Sequence, residues 1–342
     1  MNKLFGRLKT VYGYYTNNHV LGAYPRVIGM ELTNHCNLEC VMCPQPRQTR
    51  DLGFMKNEFF RKIIDEVSGK SEFVYLYGMG ESLLHPKFFE MANYAVNSGL
   101  STALSTNLSF LNEERSLKLL KSGIEFITLA LDGSTKETYE SIRVKGEFEK
   151  NLEQAKSFLR MKTKLGAKCS VDVQFIEMDQ NKSQTNLVSE LFTKEEKSAI
   201  NIFRVKPVFD SPSIVKDIIQ HKHPCYFLWS TMDITWDGKV DMCCMDYDAK
   251  VVLGDLNQES VYELWNGEGM TDLRDRHKKL DYKSMPICDK CPVPEMNYFS
   301  NTAILSSGLL SVRTLRKGLA LYEKLFVADK RKKSTPKPVF VD

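Results

Sequence analysis

Residues 30–44 read MELTNHCNLECVMCP and place three cysteines, Cys36, Cys40 and Cys43, in a CxxxCxxC spacing. The apolar run from Val27 to Leu32 just before them is typical of a buried β-strand. Three thiolates on one short loop can hold three corners of a 4Fe-4S cluster, and full cysteine ligation needs a fourth. The sequence has no fourth cysteine nearby, so we expect the fourth iron to stay open for a ligand that is not protein.

A zinc site is the alternative interpretation of these cysteines. Structural zinc sites have four ligands, usually supplied as two CxxC pairs, and His35 lies directly beside Cys36, where it is poorly placed to be the fourth. A zinc-containing module that binds nucleic acid or protein would also carry a clustered basic, aromatic surface. Residues 50–206 show neither feature, so the spacing favours the iron–sulfur cluster.

The cysteine stretch resembles the signature of the radical S-adenosylmethionine (SAM) enzymes. The resemblance implies that the open iron binds the amino and carboxylate groups of SAM, and that an electron from the cluster cleaves SAM to a 5'-deoxyadenosyl radical. It also implies a flavodoxin or ferredoxin as electron donor. The family usually has an aromatic residue before the third cysteine; here Met42 takes that place and is expected to pack against the adenine of SAM.

The composition indicates an intracellular globular protein. The chain has 342 residues, 42% apolar, which suits one large domain with a smaller one. Its net charge of +4 does not by itself indicate a nucleic-acid partner. The N-terminus lacks the apolar core of a signal peptide, and no apolar run is long enough to span a bilayer. We therefore expect a cytoplasmic location, where clustered cysteines are more often metal ligands or reactive thiols than disulfides.

Residues 26–206 repeat a pattern of a short apolar run, a polar loop and a helical segment. Gly99, Gly123 and Gly166 each follow such a segment, as C-cap glycines do. Six strand–helix alternations imply a parallel sheet. The predicted strands are 26–33, 71–77, 101–106, 124–132, 168–176 and 201–208. They resemble the radical SAM core, an α/β fold that forms a partial (β/α)6 TIM-like barrel.

Chemistry in such barrels lies where strands end and loops begin. The second predicted strand is followed by Gly78, Gly80 and Glu81, and glycines there allow the backbone to approach a ligand closely. At this distance after CxxxCxxC they resemble the family's GGE motif, which implies contact with the methionyl amine of SAM. A simple strand-to-helix turn is the alternative. It explains the glycines but not their coincidence with the cysteine loop.

Polar residues also end or line the third and fifth strands. Ser105 and Asn107 could bond to the ribose of SAM, although Ser, Thr and Asn clusters are also ordinary helix caps. The family pattern here is usually Thr-Asn-Gly, and Leu108 replaces the glycine. In the fifth strand Gln174 alternates with apolar neighbours, so we expect it to point into the barrel, while Cys169 is expected to be a buried, inert thiol.

After the fourth strand, Asp132-Gly133 is followed by Tyr139 and Arg143. This segment resembles the S-x-D-G…Y…R segment of family members with auxiliary clusters, with Ala130 in place of the serine. The resemblance implies that the Arg143 guanidinium binds the SAM carboxylate, as a bidentate donor can. A surface salt bridge from Arg143 to Glu140 or Glu147 is the alternative.

A second cysteine set follows residue 210. A hairpin signal, Asp-Gly within ITWDGKV, lies between Cys225 and Cys243 and brings the second towards the first. Cys288 and Cys291 form a CxxC pair. Four such ligands could bind zinc or a 4Fe-4S cluster. The arrangement resembles the SPASM and twitch auxiliary-cluster domains, and the lack of cysteines after Cys291 favours one auxiliary 4Fe-4S cluster. The resemblance implies Cys243 as the ligand, because it lies five residues after Gly238, and Cys244 is left over.

The predicted organisation has four parts: an N-terminal extension (1–25), a radical SAM core (26–210), a small α+β auxiliary-cluster domain (211–297) and a C-terminal helix and tail (298–342). The extension is expected to be a helix packed across the bottom of the barrel. The C-terminal helix is basic and amphipathic, so it could contact a membrane peripherally or dock a partner. Packing on the barrel is the favoured interpretation because Gly308 and Gly318 interrupt it.

The resemblance predicts hydrogen abstraction from an unactivated C–H bond. A fully ligated auxiliary cluster most simply accepts the second electron, which makes the net reaction an oxidation. No leader-peptide recognition domain is evident before the core, so we expect dehydrogenation of a sugar or cyclitol-type small molecule. The alternatives are oxidative or epimerising modification of a peptide, and epimerisation would use Cys244 as a catalytic hydrogen donor.

Overall fold

A single nine-stranded sheet organises the molecule, in the order β6-β5-β4-β3-β2-β1-β7-β8-β9. The computed structural model describes residues 3–207, 221–285, 287–295 and 301–322. The predicted linker at 210–213 and the predicted tail at 330–342 lie outside these residues. The strands are β1 (Val27–Met30), β2 (Phe73–Tyr75), β3 (Ser101–Thr106), β4 (Phe126–Ala130), β5 (Ser170–Glu177), β6 (Ile202–Pro207), β7 (Thr231–Ile234), β8 (Lys239–Asp241) and β9 (Val252–Asp255).

The α-helices alternate with the first six strands and then gather around the last three. They are α1 (Lys3–Tyr15), α2 (Asn57–Val67), α3 (Phe88–Asn97), α4 (Glu113–Lys121), α5 (Lys136–Ile142), α6 (Phe148–Leu165), α7 (Lys194–Ala199), α8 (Phe227–Ser230), α9 (Val261–Asn266), α10 (Glu268–Lys278), α11 (Asn301–Leu309) and α12 (Val312–Tyr322). Short 3-10 turns, such as Ser82–Leu84, complete the connections. None of the helices in the described ranges is long and apolar enough to cross a membrane.

The predicted parallel sheet is confirmed. Strands β1 to β6 pair in parallel, each with its neighbour in sequence. Gly99, Gly123 and Gly166 have φ values of 76°, 81° and 59°, the left-handed conformation that glycine adopts at low cost after a helix. Parallel pairing brings the carboxyl ends of the strands to one edge, so the motif residues after β1, β2 and β3 are neighbours in space. The α/β fold class is therefore as predicted.

The auxiliary part is joined to the core more closely than the sequence indicates. Strand β7 pairs in parallel with β1, with Ile28 opposite Met232 and Met30 opposite Ile234. The predicted hairpin is present, since β7 and β8 are antiparallel and Gly238 in its turn has a φ of 93°. The hairpin therefore extends the barrel sheet itself, beside the strand that leads into the first cysteine loop.

Helices α1, α11 and α12 lie at the opposite, amino-terminal edge of the sheet. Glu72, just before β2, accepts hydrogen bonds from Arg7 Nε at 3.1 Å, Arg26 Nε at 2.8 Å and the Val312 backbone N at 3.0 Å. Arg316 of α12 donates to Tyr75 Oη at 3.0 Å. The N-terminal and C-terminal helices therefore pack on the barrel, as favoured, but the single predicted C-terminal helix is two helices, α11 and α12.

Candidate active site

The first three cysteines lie together on the loop between β1 and α2. The Cys43 backbone N donates to Cys40 O at 3.0 Å, which makes a tight turn around Met42. Cys40 is buried, and Cys36 and Cys43 are partly buried. Burial raises the pKa of all three thiols, that of Cys36 to about 11. Thiols in such surroundings ionise readily only beside a strong positive charge, which suits metal ligands better than free nucleophiles.

Gly78 and Gly80 allow the loop after β2 to lie directly on the cysteine loop. A Cβ on Gly78 would lie 2.7 Å from Glu31 Cβ, and one on Gly80 would lie 2.4 Å from Thr33 O and 2.5 Å from His35 O. Between these contacts, the Glu81 backbone N donates to His35 O at 2.9 Å. The two loops pack so closely that a side chain at either position would force a shift, whether or not a ligand is bound. The alternative of a simple strand-to-helix turn does not include this contact with the cysteine loop.

The Glu81 carboxylate connects three loops. Its Oε1 accepts from Thr106 Oγ1 at 3.0 Å and Leu83 N at 3.1 Å, and its Oε2 accepts from Asn107 N at 2.7 Å. Asn107 Nδ2 in turn donates to Asn37 Oδ1 at 2.9 Å. Burial raises the pKa of Glu81, and the three donors partly oppose that rise. In this structure Glu81 is therefore a buried anchor that holds Asn107 against the cysteine loop.

Leu108 explains why the corresponding family position is usually glycine. Its φ is 75°, in the left-handed region that side chains seldom adopt, and the side chain is fully buried. A leucine here gains burial but strains the backbone, whereas glycine would avoid the strain. The departure from Thr-Asn-Gly thus preserves the backbone conformation of this loop.

Arg143 lies in the interior beside the cysteine loop. Its Nε and Nη2 lie 2.6 Å and 2.5 Å from Asp132 Oδ2, and its Nη1 lies 3.6 Å from Cys40 Sγ. Both Arg143 and Asp132 are buried. The alternative of a surface salt bridge to Glu140 or Glu147 is wrong, because the chain folds the guanidinium inwards onto Asp132. Binding of the SAM carboxylate by Arg143 stays a prediction.

The second set of cysteines lines one pocket. Cys225, Cys243, Cys288 and Cys291 surround it together with Cys244, His277 and apolar side chains. Burial raises the pKa of Cys225 to about 12 and that of Cys291 to about 11, and raises the pKa of Cys243 well above its usual value. Cys244 is the exposed member of the tandem pair. The fold therefore brings the four predicted ligands together around one pocket, which Cys244 also lines.

The two cysteine loops are in direct contact. Thr49 donates through its backbone N to Asp248 Oδ1 at 2.6 Å and through Oγ1 to Asp248 Oδ2 at 2.9 Å. Arg50 donates to Tyr247 O at 3.1 Å and forms a two-point ion pair with Glu31, at 2.9 and 2.8 Å. Residues just after the first cysteine set are thus fixed to residues just after Cys243 and Cys244.

The remaining predicted cofactor residues are Met42, Ser105 and Gln174. All three are partly buried. Ser105 pairs with Thr128 across β3 and β4, and Gln174 pairs with Ala130 and with Arg204. Both lie on strands whose carboxyl ends face the cysteine loop, and their contacts with SAM stay predictions.

The sequence reasoning missed a group of acidic residues beside the same loops. Asp233 of β7 lies against Gly29, where an added Cβ would be 2.1 Å from Oδ1, and its Oδ2 accepts from Cys244 N at 3.0 Å. Burial raises the pKa of Asp233 to about 6. Carboxylates inside otherwise apolar strands, here Glu31, Asp233 and Asp241, were the available signal, because such residues are rarely buried without a role.

The donor sets fit iron–sulfur clusters. Within the described ranges, no group of three or more His, Cys, Asp or Glu side chains is arranged to hold a metal ion. A 4Fe-4S cluster does not need ligands that meet at one point, because each thiolate binds a different iron. Soft thiolates in two buried, cysteine-rich loops are the ligands that such clusters take.

Two family models match the chain. Residues 30–166 match the radical SAM superfamily, and residues 225–292 match SPASM, an iron–sulfur cluster-binding domain. The chain belongs to the radical SAM enzymes that carry a C-terminal SPASM domain. It therefore has the cofactors of that group: a SAM-binding 4Fe-4S cluster, SAM and auxiliary iron–sulfur binding.

Individual relatives match this chain either over a short segment or at low sequence identity. The AdoMet-dependent heme synthase of Methanosarcina barkeri is 34% identical, but the match covers only 37% of either chain. The tungsten-containing aldehyde ferredoxin oxidoreductase cofactor-modifying protein of Pyrococcus furiosus is 24% identical over 80% of this chain and 89% of its own. Among solved structures, Streptococcus suis SuiB bound to its precursor peptide SuiA aligns with a TM-score of 0.64 at 12% identity, over 84% and 79% of the two chains. That likeness shows the fold.

His85, which follows the GxGE motif, predicts a pH dependence of stability. The ring is buried, its Nε2 lies 2.9 Å from Met55 O, and its Nδ1 accepts from Lys87 N at 3.1 Å. Burial lowers the pKa of His85, so at mildly acidic pH the unfolded chain binds a proton at this residue that the folded chain does not bind. As the pH falls below about 6.5, the free energy of unfolding should fall by at most about 1.4 kcal/mol per pH unit from this residue.

The measurement compares the urea midpoints of wild type and His85→Gln, under nitrogen, at pH 7.5 and pH 6. The wild type should lose more stability than the variant between the two pH values, since glutamine does not titrate. An equal loss in both proteins would show that His85 is not responsible.

Proposed function

We propose that this radical SAM enzyme is an oxidoreductase that dehydrogenates a small organic molecule, with a hydroxylated sugar or cyclitol as the substrate class. The observation that carries the proposal is the contact between the two cysteine loops through Thr49, Arg50, Tyr247 and Asp248. A contact of this kind would hold an electron acceptor bound by the second cysteine set in a fixed position relative to the first cysteine loop. Net oxidation needs that arrangement, because a second electron must leave the substrate.

The first site is proposed to be built by residues of the barrel edge. Cys36, Cys40 and Cys43 would hold the SAM-binding cluster, and Gly78, Gly80, Met42 and Ser105 would border SAM. When bound, SAM and the two clusters supply the 5'-deoxyadenosyl radical and accept the second electron. Glu81 keeps Asn107 in place through a 2.7 Å hydrogen bond. The Arg143 guanidinium lies beside Cys40 and partly opposes the rise in the pKa of that thiol that burial causes.

The second site is proposed to hold one auxiliary 4Fe-4S cluster on Cys225, Cys243, Cys288 and Cys291. Cys243 is the better fourth ligand, because Cys244 is the exposed member of the tandem and its backbone is held by Asp233. Conversion of a carbinol to a carbonyl removes one hydrogen atom, one proton and one electron. A cluster held in this pocket would accept the electron.

A small-molecule substrate is supported by the names of the curated relatives, a heme synthase and a cofactor-modifying protein. The polar residues near the loops, among them Asp233, Glu31 and Gln174, suit hydroxyl groups. Modification of a peptide is the second candidate, supported by the fold shared with SuiB in its complex with a precursor peptide. A flavodoxin or ferredoxin is the proposed reductant.

The test removes the auxiliary site alone. The double variant Cys288→Ala/Cys291→Ala should lose about four of about eight irons, keep the electron paramagnetic resonance signal that SAM perturbs, and still form 5'-deoxyadenosine from SAM. Oxidised product from a panel of sugars and cyclitols should fall at least about a hundredfold, since the second electron then lacks an acceptor. Unchanged iron content would contradict the ligand assignment, and unchanged product would contradict the oxidative mechanism.

Cys244 separates dehydrogenation from epimerisation. If the enzyme dehydrogenates, Cys244→Ala should keep both clusters and most of its turnover, because the thiol supplies no atom to the product. Reaction in deuterium oxide gives the independent measurement. If the wild type incorporated deuterium at the reacting carbon and Cys244→Ala did not, Cys244 would be the hydrogen donor and the enzyme would be an epimerase.

A further inference from the structure

Helices α1 and α11 present apolar side chains to the outside of the molecule. Phe5, Leu8 and Tyr12 of α1 are 53%, 46% and 62% exposed, and Leu305 and Leu309 of α11 are 55% and 69% exposed. Spacings of three and four residues place each set on one side of its helix. We call these five residues the basal surface. Isolated apolar residues on a surface are ordinary, but a contiguous group is not.

The two stripes adjoin because the helices are packed together. A Cβ on Gly308 would lie 3.1 Å from Val11 Cγ2, and Arg7 Nη1 donates to Leu309 O at 3.3 Å. The inner sides of the same helices face the core, where Thr10, Tyr14 and Ile304 are buried. The apolar residues outside are therefore additional to those that hold the helices in place.

The helices at the basal surface carry an excess of basic residues. Helices α1, α11 and α12 contain six Lys and Arg residues and no Asp or Glu. Lys317 is exposed, and Arg313 is 56% exposed while paired with Glu125. The rest of the chain has 41 basic and 43 acidic residues, so this excess is local.

We propose that the basal surface docks on an anionic lipid bilayer, with its apolar side chains in the interface and its Lys and Arg residues at the headgroups. Apolar stripes bordered by basic residues bind such membranes in this way. A second copy of the chain is a poorer occupant, because two positive rims would face each other. The surface is at the amino-terminal edge of the sheet, where Arg7 meets Glu72, so docking leaves the cysteine loops on the opposite edge open to substrate and reductant.

The test uses the reconstituted holoenzyme and sedimentation with phosphatidylcholine vesicles, with or without about one third phosphatidylserine. The anionic vesicles should bind at least about tenfold more protein, and high salt should release much of it. The variant Phe5→Ser/Leu8→Ser/Leu309→Ser should bind at least about tenfold less, because it lacks three apolar side chains that would insert into the bilayer interface. Its circular dichroism spectrum and SAM cleavage in solution should match the wild type.

A matched control replaces three exposed apolar residues elsewhere, Leu187, Val252 and Tyr262, which are 44%, 48% and 39% exposed. This Leu187→Ser/Val252→Ser/Tyr262→Ser variant should bind anionic vesicles like the wild type. Equal loss in both triple variants, or no preference of the wild type for anionic vesicles, would overturn the proposal. The surface would be assigned to self-association instead if the wild type did not bind vesicles and formed a dimer in light scattering that only the basal variant lost. None of these outcomes depends on the substrate of the enzyme.

Discussion

Replacing Cys36, Cys40 and Cys43 together by alanine is expected to abolish SAM cleavage and to halve the iron content, from about eight to about four per chain. The three thiols lie on one loop, and a cluster that keeps an open iron has no other cysteine on that loop to replace them. The auxiliary pocket is built from different segments, so it should keep its cluster. Iron and sulfide analysis with electron paramagnetic resonance, followed by assay of 5'-deoxyadenosine under dithionite, makes the measurement.

Cys169→Ala is the control for this variant. Cys169 is a buried core thiol beside β5, and burial raises its pKa, so it should be inert. This control should keep both clusters and normal SAM cleavage. If the triple variant lost all of its iron, the auxiliary site would depend on the first cluster. If it kept all of its iron, the first cysteine loop would not be a ligand set.

The second large effect is expected from Gly80→Ala. An added methyl group would lie 2.4 Å from Thr33 O and 2.5 Å from His35 O, and both atoms belong to the backbone of the cysteine loop. Backbone cannot yield as a flexible side chain can, so the loop must move and the hydrogen bond from Glu81 N to His35 O must break. We expect about 1–3 kcal/mol of lost stability and at least about a hundredfold less SAM cleavage.

Gly6→Ala is the matched control, because an added Cβ at Gly6 meets nothing within 4 Å and the residue is inside helix α1. Alanine there should stabilise the helix by about 0.5–1 kcal/mol and leave SAM cleavage unchanged. Thermal unfolding, iron content and 5'-deoxyadenosine formation are compared across the three proteins. Normal iron content and cleavage in Gly80→Ala would show that the cysteine loop tolerates displacement.

Several features of the site were predictable because they depend on local spacing. Cys36, Cys40 and Cys43 come from one short loop, so their proximity follows from chain connectivity alone. Gly99, Gly123 and Gly166 end helices because only a residue without Cβ enters the left-handed region at little cost. The hairpin at Gly238 follows from its Asp-Gly turn.

Other features required the folded chain. The alternative of a surface salt bridge for Arg143 is wrong, because the guanidinium is buried against Asp132 and Cys40, while its binding of the SAM carboxylate stays a prediction. A guanidinium on a five-bond side chain can reach in many directions, and the partner it reaches is set by which strand ends are adjacent. The same holds for Glu81, whose partners Thr106 and Asn107 are some 25 residues away in sequence.

The class of chemistry follows from the sequence, because cysteine spacing, strand–helix alternation and the GxGE turn each express local geometry. The relation between the two cysteine sets depends on the folded chain. Strand β7 pairs with β1 across some 200 residues of chain, and Thr49 and Arg50 then meet Asp248 and Tyr247. A pairing between distant strands depends on the packing of the whole sheet, which no local pattern contains, and that pairing places the hairpin before Cys243 beside the strand that leads into the first cysteine loop.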